Sequence, residues 1–189
     1  MWKLTPLKTA TQVAKALADV HNIDSEGEAS IAHTDIAPNQ FISVNGRYKL
    51  NDFNRARFIA WSTKDQKPCP YFVGNNGGKF RSPEEYNYEA QTEMVDVFSM
   101  GNIFFMLLQG EWPFHELSLE SANEMVQQGS RPSIYVDLWH STDPVNQALK
   151  HAMIISHKQN ATDRATAREI ETFLTQKLRE LDPGFIGTL

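Results

Sequence analysis

"IAHTDIAPNQFISVNGRYKLNDFNRARF", residues 31–58, is the stretch on which the fold turns. Asn45-Gly46 separates Phe41, Ile42 and Val44 from Tyr48 and Leu50. Asn-Gly between two such runs is the strongest short-range signal for a two-residue hairpin turn. Pairing Val44 with Arg47 puts Gln40 opposite Asn51. Asp35 then lies just upstream of one strand and Asp52 just downstream of the other. The open end of the hairpin therefore holds two carboxylates. Such a pair can bind Mg²⁺, which takes oxygen ligands and often only one or two from protein. One carboxylate can instead act as base while the other holds the metal.

The rest of the chain reads as helix. Residues 9–21 place Val13, Ala16, Leu17 and Val20 at helical spacing, and a polar loop follows. Residues 93–109 are apolar on most faces, which predicts a central buried helix ending at Gly110. Asp143 and Pro144 read as the cap and first turn of another helix. Thr166 with Glu169 forms a capping box at the start of the last one. Residues 57–80 show weak periodicity, and with Gly-Asn-Asn-Gly-Gly at 74–78 they read as a long mobile loop. The expected architecture is mostly α with one small β-hairpin.

Composition bounds the function. The chain has 189 residues, 41% of them hydrophobic, enough for one core. A net charge of −5 argues against nucleic-acid or anionic-membrane partners, which need a basic face. Cys69 is the only cysteine, so no internal disulfide forms. The N-terminus lacks a continuous apolar run and a cleavage site, so no signal peptide is expected. The most apolar run, Met100–Leu108, is too short to span a bilayer. A cytoplasmic location is favoured on these grounds.

At this point the residues resemble the eukaryotic protein kinase superfamily. "HTDIAPNQ" (33–40) resembles the catalytic loop H-R-D-x-x-x-x-N, and "LNDFN" (50–54) the D-F-G segment. "SPE" (82–84) resembles A-P-E, "DVFSMG" (96–101) the start of the central helix, and "DRATAREI" (163–170) the final helix motif. The motifs stand in the family's order, from about Thr9 to Leu181. The resemblance implies a kinase-like C-terminal lobe over residues 1–189. Its catalytic loop would span 33–40, its activation segment 52–84 and its final helices 143–181.

The resemblance also implies roles. Asp35 resembles the catalytic base, which takes the proton of the acceptor hydroxyl, and Asp52 the ligand of the Mg²⁺ that bridges ATP phosphates. Gln40 stands where a second metal-binding Asn is expected, one methylene longer. His33 and Phe53 resemble a structural packing pair. Glu84 and Arg164 resemble a buried ion pair tying the activation segment to the lobe, and Asp96 a buried anchor of the catalytic-loop backbone. The implied cofactors are ATP and Mg²⁺, and the implied partner is a protein substrate.

Several positions depart from the family pattern. Thr34 replaces the Arg that pairs with an activation-loop phosphate, so phosphorylation at Ser62, Thr63 or Tyr71 is not expected to order that loop. Ala37 stands where serine/threonine kinases carry a phosphate-contacting Lys, and Asn39 where tyrosine kinases carry an Arg. Asn54 replaces the Gly of D-F-G, a place where Asn tolerates positive φ. Gly77 occupies the site of a typical threonine. No Gly-rich loop or V-A-I-K lysine is present, so an N-lobe is expected from upstream sequence. Two readings follow. In one the chain belongs to an active kinase. In the other it is a pseudokinase or isolated C-lobe acting as a protein-binding scaffold. A different metal-dependent phosphotransferase using Asp35 and Asp52 explains the last three motifs less well.

Overall fold

The computed structural model describes residues 4–184; the expected domain's first and last few residues lie outside them. Seven α-helices lie among the described residues: α1 Thr5–His21, α2 Pro83–Tyr86, α3 Met94–Gln109, α4 Leu119–Gln127, α5 Val136–Trp139, α6 Pro144–Ser156 and α7 Ala167–Leu181. Helix α1 starts four residues ahead of the expected stretch 9–21, because Pro6 in the first turn suits a helix start. Asp143 accepts hydrogen bonds from the Val145 and Asn146 N–H groups, and the Thr166–Glu169 box forms as expected.

Six short strands complete the described fold: β1 Ile31–Ala32, β2 Phe41–Val44, β3 Arg47–Leu50, β4 Arg57–Phe58, β5 Trp61–Ser62 and β6 Lys67–Pro68. β2 and β3 pair antiparallel in the expected register, Val44 opposite Arg47. The turn holds Asn45 at φ 53° and Gly46 at φ 77°, both in the left-handed region. The Asn51 N–H closes the open end by donating to the Gln40 carbonyl at 2.8 Å.

The expectation of a single hairpin and an irregular 57–80 is corrected. β4 pairs with β1, β5 with β6, and Tyr71 bridges Gln91. Strands of two residues are too short to show a period of two, so their pairing comes from tertiary contact. The Tyr71 hydroxyl donates to the Thr92 carbonyl and sits half-buried; burial, with acidic neighbours around it, pushes its pKa far up.

The core joins α1, α3, α6 and α7 through Leu7, Leu17, Phe104, Leu149, Ile170 and Leu178. Each such side chain contributes ~1.5–3 kcal/mol on burial. α3 runs through the middle, and Val95 to Phe105 are buried on every face.

Gly101 lets α6 approach α3 closely. A Cβ there would lie 2.5 Å from the His157 ring. That imidazole packs on Phe98, with ring centroids 4.8 Å apart, and neither ring nitrogen has a hydrogen-bond partner. Burial, reinforced by the Arg131 and Arg164 guanidiniums, pushes its pKa down to about 3. The folded state thus refuses a proton that the unfolded chain accepts near pH 6.5. Stability falls as pH drops from there toward 3. Glu85 acts in the opposite sense, because burial raises its pKa to about 7. Comparison with a His157→Leu variant isolates the histidine. Between pH 7 and pH 5 the native protein loses ~2 kcal/mol relative to that variant in denaturant titrations. Parallel stability curves would contradict the assignment.

Candidate active site

The segment 33–35 is held from below by Asp96 in the first turn of α3. Its buried carboxylate accepts the His33 N–H at 2.6 Å and the Thr34 N–H at 2.7 Å, and His21 Nε2 lies 3.1 Å away. His33 Nε2–H donates to the Asn51 carbonyl at 2.9 Å, which brings 33–35 beside 51–52. The His33 ring meets Phe53 edge-on at 5.1 Å.

Two non-glycine residues here have left-handed backbone, Thr34 and Asp52, both at φ 61°. For a β-branched residue this is an outlier, and such strain costs ~1–3 kcal/mol. Thr34 is over-determined by its contacts. Its hydroxyl donates to the Arg55 carbonyl at 2.8 Å, and its own carbonyl accepts from Arg81 at 2.5 Å. The expectation of positive φ at Asn54 is corrected: Asp52 takes it instead, and Asn54 sits in a short 3₁₀ turn, 53–55.

Asp35 is partly exposed, and both its oxygens meet protein donors. Gln40 Nε2 donates to Oδ2 at 2.8 Å, and Arg81 Nη2 donates to Oδ1 at 2.5 Å. Arg81 was not singled out in the sequence. It comes from 46 residues downstream, just ahead of α2, and no local spacing links it to Asp35. Its Nε donates to the Gly77 carbonyl at 3.1 Å, and Glu85 lies 3.7 Å from Nη1. Asp35, Ala37, Gly77, Arg81 and Trp112 line one cleft of about 320 Å³.

Asp52 is exposed at the open end of the hairpin. Among the described residues no group of three or more His, Cys, Asp or Glu could hold a metal by itself. The donor set present is oxygen: the Asp52 carboxylate, and the carbonyl oxygen of Gln40, whose amide nitrogen is committed to Asp35. That chemistry fits Mg²⁺, which keeps waters and shares its shell with substrate phosphates.

Glu84 in α2 and Arg164 before α7 form a bidentate pair at 2.5 and 2.8 Å. This fastens the end of the 52–84 segment to the helical body.

The family model for the protein kinase domain matches residues 6–173. The chain belongs to the protein kinase domain family. Among its relatives is the serine/threonine-protein kinase VIK of Arabidopsis thaliana, 26% identical over 133 residues, 68% of this chain and 29% of that protein. The serine/threonine-protein kinase Nek2 of Homo sapiens is 30% identical over 124 residues, 65% of this chain and 26% of that protein. A putative mitogen-activated protein kinase kinase kinase 7-like protein of Drosophila melanogaster is 23% identical over 194 aligned positions, covering 100% of this chain and 46% of that protein. The chain thus spans less than half the length of these relatives. No described helix is long and apolar enough to cross a membrane.

Proposed function

We propose that this chain is the C-terminal lobe of a protein kinase that transfers the ATP γ-phosphate to a protein hydroxyl. The observation that carries the reading is the juxtaposition at the hairpin's open end. Asp35 stands there directly after the strained, over-determined Thr34, and Asp52 is tied to it through the His33–Asn51 hydrogen bond. Asp35 acts as base for the acceptor hydroxyl. Asp52 and the carbonyl oxygen of Gln40 are the residues that would hold Mg²⁺. Mg·ATP, when bound, supplies the phosphoryl group and neutralises its charge. His33, Phe53 and Asp96 hold the base in place, and the Glu84–Arg164 pair fixes the segment on which an acceptor lies. A second lobe is needed to cover the nucleotide.

One observation favours the scaffold reading. Both oxygens of Asp35 already have donors, and Thr34 and Ala37 remove two cations expected near it. Calorimetry with Mg·ATP discriminates. The full-length polypeptide that includes any nucleotide-covering lobe should bind Mg·ATP, and Asp52→Ala should weaken binding by about 10-fold or more. Absence of binding by the native protein overturns the kinase reading and favours the scaffold.

A further inference from the structure

The cleft beside Asp35 has two cations in its lining, Lys79 and Arg81. Lys79 is spent elsewhere, since its ammonium donates to the Phe114 and Leu117 carbonyls at 2.9 and 2.6 Å. Arg81 points at the carboxylate. It is buried, and three of its nitrogens are committed, to Asp35, to the Thr34 carbonyl and to the Gly77 carbonyl. A guanidinium held at that many points has lost its rotamer freedom, so the charge is fixed in direction as well as position. Ala37, which brings no cation, lines the same cleft.

We infer that Arg81 is the positioning residue of this site, delivering from the end of the activation segment the fixed cation on Asp35 that the loop 33–40 does not carry. The inference rests on the reading of Asp35 as base. Its physical consequence is coupling. In a site whose cation sits within the catalytic loop, the base keeps its orientation whatever the activation segment does. Here Arg81 ties its segment to the loop by the ion pair with Asp35 and one bond to the Thr34 carbonyl, while Gln40 holds the other Asp35 oxygen from within the loop, so both oxygens are held only while that segment is docked. Glu85, 3.7 Å from the same guanidinium, is the competing carboxylate that would receive Arg81 when it leaves Asp35.

The test is a transplanted cation. In the full-length protein, Arg81→Ala should lower kcat for phosphoryl transfer about 10²-fold while KM for Mg·ATP changes about twofold or less. Adding Ala37→Lys in the same protein returns a cation to the cleft without restoring the bonds to Thr34 and Gly77. Recovery of about a tenth of native kcat or better supports a charge that orients Asp35. No recovery, with Arg81→Lys equally inactive, overturns the inference, because the arginine then serves only to brace the two carbonyls. Amide hydrogen exchange decides independently of turnover. Residues 33–37 should exchange faster in Arg81→Ala and regain protection in the Ala37→Lys double variant; failure to regain it counts against the inference. Native protein that transfers no phosphate overturns the kinase reading instead, and the exchange comparison still judges Arg81.

Discussion

Replacing Arg164 with alanine is expected to cost ~3–5 kcal/mol of stability. All five N–H groups of this side chain are used. Nε donates to the Lys158 carbonyl at 2.9 Å, Nη1 to Glu84 at 2.5 Å and the Met94 carbonyl at 2.9 Å, and Nη2 to Glu84 at 2.8 Å and the Gln159 carbonyl at 3.1 Å. The guanidinium also lies 5.1 Å over the Phe98 ring. Truncation would leave a buried carboxylate uncompensated and remove one donor from each of three carbonyls. The loss corresponds to a fall in Tm of roughly 10 °C for a chain of this size. Removing Glu84 as well should cost less than the sum of the two single changes, because the second removal relieves the orphaned charge. Calorimetric melts of the two single variants and the double check this. A loss under ~1 kcal/mol for Arg164→Ala, or strict additivity, would contradict the account.

Asp35 carries the largest expected effect on activity. A positioned general base contributes ~10²–10⁴-fold to a rate. Asp35→Asn keeps the size of the side chain and its contact with Gln40 but removes the oxygen charge that accepts a proton. The Asp96 anchor and the Thr34 contacts are untouched, so the fold should survive with a melting temperature near native. The expected result is a loss of phosphoryl transfer of about 10³-fold with Mg·ATP affinity retained. Loss of nucleotide affinity together with rate would instead place Asp35 among the binding groups.

How much of this was legible in the sequence follows the length and closure of each element. The β2–β3 hairpin was legible because Asn45-Gly46 leaves one low-strain turn, and a turn of fixed length fixes register. α3 was legible because nearly every face is apolar, and α6 and α7 because their caps, Asp143 and Thr166, are local devices. α4 was not, since only Ala122 and Val126 on it are buried and its outward face carries no pattern. The pairings of β1 with β4 and β5 with β6 were not, because two residues show no alternation. At the candidate site, motif spacing pointed to Asp35, Gln40 and Asp52, and the same resemblance to the His33–Phe53 packing and the Asp96 anchor of the loop backbone, but not to the His33 bond with the Asn51 carbonyl or the His21 contact of Asp96. Arg81 was invisible. Its link to Asp35 spans 46 residues and depends on how 77–81 folds back over the loop. The left-handed backbone at Asp52 was also missed, because Asn54 offered the more obvious residue for positive φ.

The most direct measurement is transfer of labelled phosphate from Mg·ATP to a general protein substrate, in the full-length polypeptide, comparing the native protein with Asp35→Asn at matched folded concentration. The account predicts measurable transfer by the native protein and its near-complete loss in the variant, with both forms still binding Mg·ATP. Equal transfer by the two forms would contradict the assignment of Asp35 as base, and no transfer by the native protein would contradict the kinase reading itself.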